Sequence, residues 1–209
     1  MLLNAQMPEP RHKGVDLAAQ LRVCGPADPG RAELETFIQR VFSQRYGAVV
    51  DEFAPVLVGL YDPIEGLVAA AGYRGAASGP LFLERYLAAP VEAQLAASAA
   101  SPLGREAIVE VAHLAASRAG EGRRLIALLG QHLALQGFEW VVSTLTAELR
   151  HLFVRLGVTP LALGAADPQR LGEQAARWGS YYEHQPVVLA GHLSQALNQL
   201  ARRLARERS

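Results

Sequence analysis

Between Ile108 and Val158 the chain runs in a fixed order: the apolar segment IVEVAHL, a Gly/Arg-rich turn, a long amphipathic stretch, a second apolar segment, and a shorter helix closing at Gly157. Short apolar runs bounded by turn residues read as buried strands, and a 3.6-residue apolar period reads as helix. Ile108 to Leu114 is the first strand. Arg123 to Gln136 carries Leu125, Leu128, Leu129, His132, Leu133 and Leu135 on one broad apolar side, with Gly137 as its C-cap. Trp140 to Thr144 and Ala147 to Leu156 repeat the strand-helix order. Such a succession predicts an α/β fold.

The flanking sequence extends that sheet. Pro/Gly-rich residues 1 to 30 form an N-terminal extension with a short strand at Leu17 to Val23, stopped by Cys24-Gly-Pro. Leu34, Phe37, Ile38, Val41 and Phe42 then recur at helical spacing, in a helix ending near Tyr46-Gly47. Pro55 to Tyr61 and Gly66 to Arg74 flank the turn Asp62-Pro-Ile-Glu-Gly as an antiparallel hairpin. Leu81 to Leu87 and Val91 to Ala100 read as helical pieces broken at Pro90 and Pro102. After Leu161 the pattern is less regular, with a helix over Gln169 to Arg177 and a late strand near Pro186 to Ala190. Leu193 to Arg208 closes the chain as an amphipathic helix, with Leu and Ala on one side and Arg202, Arg203 and Arg206 on the other.

Bulk properties exclude several classes. The 209 residues suffice for one sizeable core. Lys+Arg equals Asp+Glu at 20 each, so no global field would steer the chain toward nucleic acid. Only Lys13 is lysine, which leaves little scope for a Schiff base, whereas arginine suits forked recognition of phosphate or carboxylate. The single cysteine, Cys24, rules out an intrachain disulfide and a thiolate metal cluster, and no metal is expected. No apolar run has the length of a signal peptide core or a membrane span, so a soluble cytoplasmic protein is the default expectation.

A strand entering a glycine-containing turn before a helix aims backbone N–H groups and the positive helix end at one place, which suits a pyrophosphate. Here the turn offers Ser117, Gly120, Gly122, Arg123 and Arg124. The alternative is a plain turn with solvated arginines. Glu110 interrupts an apolar strand, and a buried carboxylate without a partner is costly. It either faces a cleft or pairs with an arginine such as Arg74. His113 is three residues on, so a regular strand sends it to the opposite face, and only a bulge puts both on one face. It reads as a structural histidine or as a proton carrier. Trp178, Tyr181 and Tyr182 cluster beside Gly179 and Ser180 and either line a pocket or pack in the core. Phe53, Tyr73 and Tyr86 share that ambiguity, and Tyr73 adjoins Arg74, a bidentate partner for an acceptor carboxylate.

Ser117-x-x-Gly120-x-Gly122 resembles the acyl-thioester loop of the GNAT acyltransferases, and Leu152-Phe-Val-Arg-Leu-Gly-Val158 resembles their later helix ending, with Phe153 where many carry a tyrosine acid. From about Arg40 to Gly191 the chain is similar to the thermostable hemolysin family. The fragments are Tyr46-Gly47-Ala48, Phe53-Ala-Pro55, Gly72-x-Arg74, Leu81-Phe-Leu-Glu84-x-Tyr86, Ile108-Val-Glu110-Val, Glu139-Trp140 and Trp178-Gly-Ser-Tyr-Tyr182. Gly72-x-Arg74 and Glu110-Val-Ala-His113-Leu also resemble the acyl-homoserine-lactone synthases, which carry arginine at the position of His113.

These resemblances imply a single GNAT-like domain over residues 31–192, with a mixed, mostly antiparallel sheet and helices on both faces, followed by the C-terminal helix 193–209. They imply an N-acyltransferase that moves an acyl group from coenzyme A or acyl carrier protein to the amine of a small metabolite such as an amino acid. Glu110 and His113 would be catalytic, and Leu114, Ala115 and Ala116 would supply backbone donors to the thioester. Ser117, Gly120, Gly122, Arg123 and Arg124 would hold the cofactor. Tyr73, Arg74, Glu84, Trp178, Tyr181 and Tyr182 would contact substrate. A second reading is a membrane-perturbing protein acting through the C-terminal helix; a third is an acyl-thioester-binding module without turnover. That helix otherwise packs on its own domain, docks a partner helix or meets an acidic carrier protein.

Overall fold

The structure, a computed structural model, describes residues 20–96, 103–118 and 120–207, with helical side chains through Arg203. Seven strands form one sheet: β1 (Gln20–Cys24), β2 (Val56–Asp62), β3 (Gly66–Gly75), β4 (Ile108–Ala116), β5 (Trp140–Leu145), β6 (Leu161–Ala165) and β7 (Val187–His192). Their order is β1-β2-β3-β4-β5-β7-β6, and every pair is antiparallel except β4–β5. The α-helices are α1 (Arg31–Tyr46), α2 (Val91–Leu95), α3 (Glu121–Leu135), α4 (Ala147–Arg155) and α5 (Leu193–Glu207). The strand-helix order predicted an α/β fold, and the mixed, mostly antiparallel sheet with helices on both faces is what the family resemblance implied.

Helices cover the two faces because strand residues alternate between them. On one face α1 buries Leu34, Phe37, Ile38 and Phe42 against Leu57, Ala70 and Ala115. On the other, Leu125, Leu129 and Leu133 of α3, four residues apart, pack with Val58, Val68, Val109 and Val111, and Leu193 of α5 joins them. Each such side chain contributes roughly 1.5–3 kcal/mol by leaving water. Gly47 ends α1 in the left-handed conformation, its N–H donating to the Ser43 carbonyl at 2.8 Å.

Two elements differ from their sequence expectation. Leu161–Ala165 is a strand, hidden in sequence because its exposed edge position gives LALGA no clear period. Pro168–Trp178 is a 3₁₀ run rather than an α-helix, interrupted at Gly172, where φ is 56°. The first strand is described from Gln20, so Leu17 to residue 19 lie outside the described residues, as do 97–100 of the helix expected over Val91 to Ala100. The side chains of Leu204 and Arg206 in the C-terminal helix are likewise outside them.

Candidate active site

The parallel pair holds the site. β4 and β5 pair only from Ile108–Trp140 to Glu110–Val142. One residue further, the Ser143 hydroxyl donates to the Val111 carbonyl at 2.7 Å, and beyond it the strands fork, β4 staying with β3 and β5 with β7. On the α1 face the fork opens into a cleft of about 490 Å³ lined by Glu110, His113, Arg74, Phe53, Tyr46, Trp178 and Tyr181 among others.

Glu110 and His113 line the same cleft because β4 bulges. Gly72 faces Ala112 and Ala70 faces Ala115, so β4 carries an extra residue at His113, whose φ is 55°. The bulge turns the imidazole to the same face as Glu110. Its ring packs between Phe53 and Phe42, with centroids 5.6 and 6.4 Å away. Gly72 leaves the space: a methyl there would lie 2.8 Å from Ala54 Cβ and 3.2 Å from His113 Cδ2.

Glu110 is 6% exposed, and its oxygens accept from the backbone N–H groups of Phe82 and Leu83, both at 2.9 Å. These donors, not a guanidinium, hold the carboxylate. Burial raises the Glu110 pKa, and the two N–H bonds and the Arg74 charge only partly offset it. His113 goes the other way. Burial, with the Arg31 and Arg74 charges, pushes its pKa down to about 4 and keeps the imidazole neutral. Arg74 lies across from Glu110 in the register, and its guanidinium donates to the Pro80 carbonyl at 3.3 Å.

Several expected contacts fall elsewhere. Tyr73 is opposite Val111, on the α3 face, and its hydroxyl meets His132 Nε2 at 3.1 Å; adjacent strand residues point to opposite faces, so Tyr73 and Arg74 cannot share the cleft. Glu84 borders the cleft, but its carboxylate is occupied by the N–H groups of Leu81 and Val91 at 2.7 and 3.0 Å and by Arg105 at 2.8 Å. Burial would raise it, yet Arg105 and those N–H groups outweigh that and hold its pKa at about 2. Glu84 fastens the loop that presents Phe82 and Leu83. Tyr182 stands behind the cleft lining, its hydroxyl 2.7 Å from that of Tyr86 and its ring against Trp178 and Tyr181.

The turn after β4 retains a helix N-terminus for an anion, with Gly120 at φ 99° and exposed Arg123 and Arg124. Arg124 pairs with Glu121 at 3.0 Å, and Arg118 pairs with Glu65. Ser117 does not face it: its N–H and hydroxyl both donate to the Val68 carbonyl at 3.0 Å, tying off the strand end. That pairing turns the Ala115 N–H toward β3 by strand alternation, leaving Leu114 and Ala116 with N–H groups toward the fork. Ala119 lies outside the described residues.

The cleft has walls that the sequence did not single out. Tyr46 closes it from the end of α1, and Arg177 lines it while pairing with Asp51. Gly179 docks the aromatic segment on α1: a methyl on it would sit 2.0 Å from the Tyr46 carbonyl, and the neighbouring Ser180 N–H donates to that oxygen at 2.8 Å. Ser143 and Thr144 come from β5, where a Ser-Thr pair in the apolar run WVVSTL was the available signal. Behind the fork, a second, apolar cavity of about 110 Å³ lies between the sheet and α3, α4 and α5, and includes Phe153. Val111, Leu114 and Ser143 line both cavities.

This architecture occurs in solved structures. TofI in an apo form is similar with a TM-score of 0.61 at 19% identity, over 87% of this chain and 96% of that one. FeeM, an N-acyl amino acid synthase from uncultured soil microbes, is similar at 0.58 and 15% identity, over 87% and 96%. BjaI, a CoA-dependent acyl-homoserine lactone synthase with SAM and isopentyl-CoA, is similar at 0.59 and 17%, over 90% of each chain. At these identities the likeness is one of fold. No curated protein matches the sequence. The thermostable hemolysin family model matches residues 24–197, and the chain belongs to that family.

Proposed function

We propose that the protein is an N-acyltransferase that joins the acyl group of a coenzyme A or carrier-protein thioester to the amine of a small metabolite. The observation that carries this reading is the fork between β4 and β5, with the buried Glu110 on its cleft side and the glycine turn at its open end. The turn and Arg123 would receive donor phosphate, and the thioester would lie in the fork against the Leu114 and Ala116 N–H groups, donors for the tetrahedral oxyanion.

Acceptor chemistry belongs to the cleft. The amine nitrogen attacks the thioester carbonyl, the C–N bond forms, the C–S bond breaks, the sulfur leaves as thiolate and one amine proton passes to Glu110. A general base works best with a pKa near the working pH, and burial moves Glu110 toward that range while moving His113 away from it. Glu110 is therefore assigned as base, and neutral His113 as a group that orients the amine. Arg74 supports an acceptor that carries a carboxylate, as an amino acid does. Phe153 faces the apolar cavity and has no proton to offer the thiolate.

The test is mass spectrometry of small molecules from cells expressing wild type or Glu110→Gln. N-acylated amines present with wild type and absent with the variant are the expected outcome. Equal product from both, or none from either with purified protein that binds no acyl thioester, would overturn the assignment.

A further inference from the structure

The second cavity has features that the transfer step does not use. Apart from Ser143, its lining is aliphatic or aromatic carbon and glycine, and the Ser143 hydroxyl is already committed to the Val111 carbonyl. A polar ligand would lose its water there without replacement. The cavity also adjoins the reacting end of the cleft, with Val111, Leu114 and Ser143 at the fork standing between the two spaces. Its far wall is the C-terminal helix. Leu193 and Leu200 of α5 are buried, and Leu197 stands over Gly130 of α3.

Gly130 is a glycine inside a helix, where the residue weakens the helix relative to alanine. Packing explains it. A methyl at Gly130 would lie 3.3 Å from Leu197 Cδ2 and 3.9 Å from Leu193 Cδ2, so any larger side chain would take space from α5 or from the cavity. We infer, resting on the acyl-transfer reading above, that this cavity houses the tail of the acyl group and that Leu197 of α5, set over Gly130, fixes the length of tail accepted. An apolar hollow of about 150 Å³ takes a six-carbon ring, so this one takes a tail on the order of four to six carbons rather than an acetyl group alone. The C-terminal helix is thus a specificity element.

The experiment measures binding of straight-chain thioesters from acetyl to dodecanoyl, carried on coenzyme A and on a carrier protein, by wild type, Gly130→Leu and Leu197→Ala. Wild-type affinity should rise about fourfold per methylene and level off once the cavity is full. With Gly130→Leu the rise should stop at a shorter tail, and with Leu197→Ala at a longer one. Thermal unfolding of each variant reports folding, and Gly130→Ala, which favours the helix and asks Leu197 to move only a few tenths of an ångström, supplies a milder shift in the first direction. If wild type shows the rise but all folded variants level off at the same tail, the gauge is wrong and acyl transfer stands. A wild type that binds acetyl and longer esters equally would show that the tail lies elsewhere. Binding of no thioester on either carrier would sink the acyl-transfer reading, and the gauge with it.

Discussion

Glu110 and His113 face one cleft, yet burial drives their protonation in opposite directions, and this has consequences for pH. His113 is held near pKa 4, against about 6.5 in an unfolded chain. The unfolded state then takes up the proton first, so this contribution is complete above about pH 6.5 and is lost as pH falls toward 4, by on the order of 3 kcal/mol. Glu110 is raised, so its contribution is complete below about pH 4.3 and is lost as pH rises through the folded value. The two oppose each other in mildly acid solution. Urea titrations between about pH 4 and pH 7 should show stability rising with pH more steeply in Glu110→Gln than in wild type, and the rise abolished in His113→Gln. A His113→Gln curve parallel to wild type would contradict the neutral buried imidazole. Loss of the base should lower kcat/KM by about 100-fold or more in Glu110→Gln. In sequence, the carboxylate was legible because an acid in IVEVAHL needs a reason. The bulge that brings His113 to the same face was one of two open alternatives, since it needs the space left by Gly72 on another strand.

At the scale of elements, the site depends on two fastenings far apart in sequence. Arg105 reaches the Ala76 and Gly79 carbonyls at 2.9 and 3.0 Å and the carboxylates of Glu84 and Glu92 at 2.8 and 2.5 Å. It therefore holds the loop whose N–H groups grip Glu110. Replacing it, as in Arg105→Met, leaves Glu84 without its cation and should cost about 3 kcal/mol. The same change should expose the 76–92 loop to limited proteolysis and lower turnover, without Arg105 touching substrate. The second fastening is Gly179 on the Tyr46 carbonyl. With φ at 51° and no room for a methyl, Gly179→Ala should lower stability by about 2 kcal/mol or more, read from the urea midpoint. Helices and central strands were visible in sequence through their periods. The partners of Glu84, Tyr73 and Ser117 were not, because residue type and spacing do not say which group lies across a loop or a strand.

For the whole molecule, the C-terminal helix decides between readings. Its amphipathic pattern fits a membrane surface as well as a protein one, but in the fold two of its leucines are packed inward: Leu193 and Leu200 are 5% and 8% exposed, against α3 and α4. Among the described residues no helix is long and apolar enough to cross a membrane. Purified protein should therefore leave dye-loaded anionic vesicles intact, and leakage from protein alone would favour the membrane-perturbing reading. Deletion of Leu193 to Ser209 should strip one wall of the core and broaden or abolish the thermal transition. Were the truncated chain to unfold as cooperatively as the full one, α5 would be an appendage rather than part of the domain.

The sequence by itself determined the order of strands and helices from α1 to α4, the glycine turn at the head of α3, and the presence of a carboxylate where an apolar strand should have none. These follow from local rules: apolar period, turn chemistry and the cost of burying charge. Only the tertiary structure decided that β4 and β5 part after three pairs, that His113 turns into the cleft lined by Glu110, that Glu84 belongs to Arg105, and that α5 walls an apolar cavity. Each of those outcomes depends on atoms brought together from distant segments. Gly72 makes room for a bulge on β4, and Gly130 makes room for a helix that begins 63 residues later at Leu193 (193 − 130).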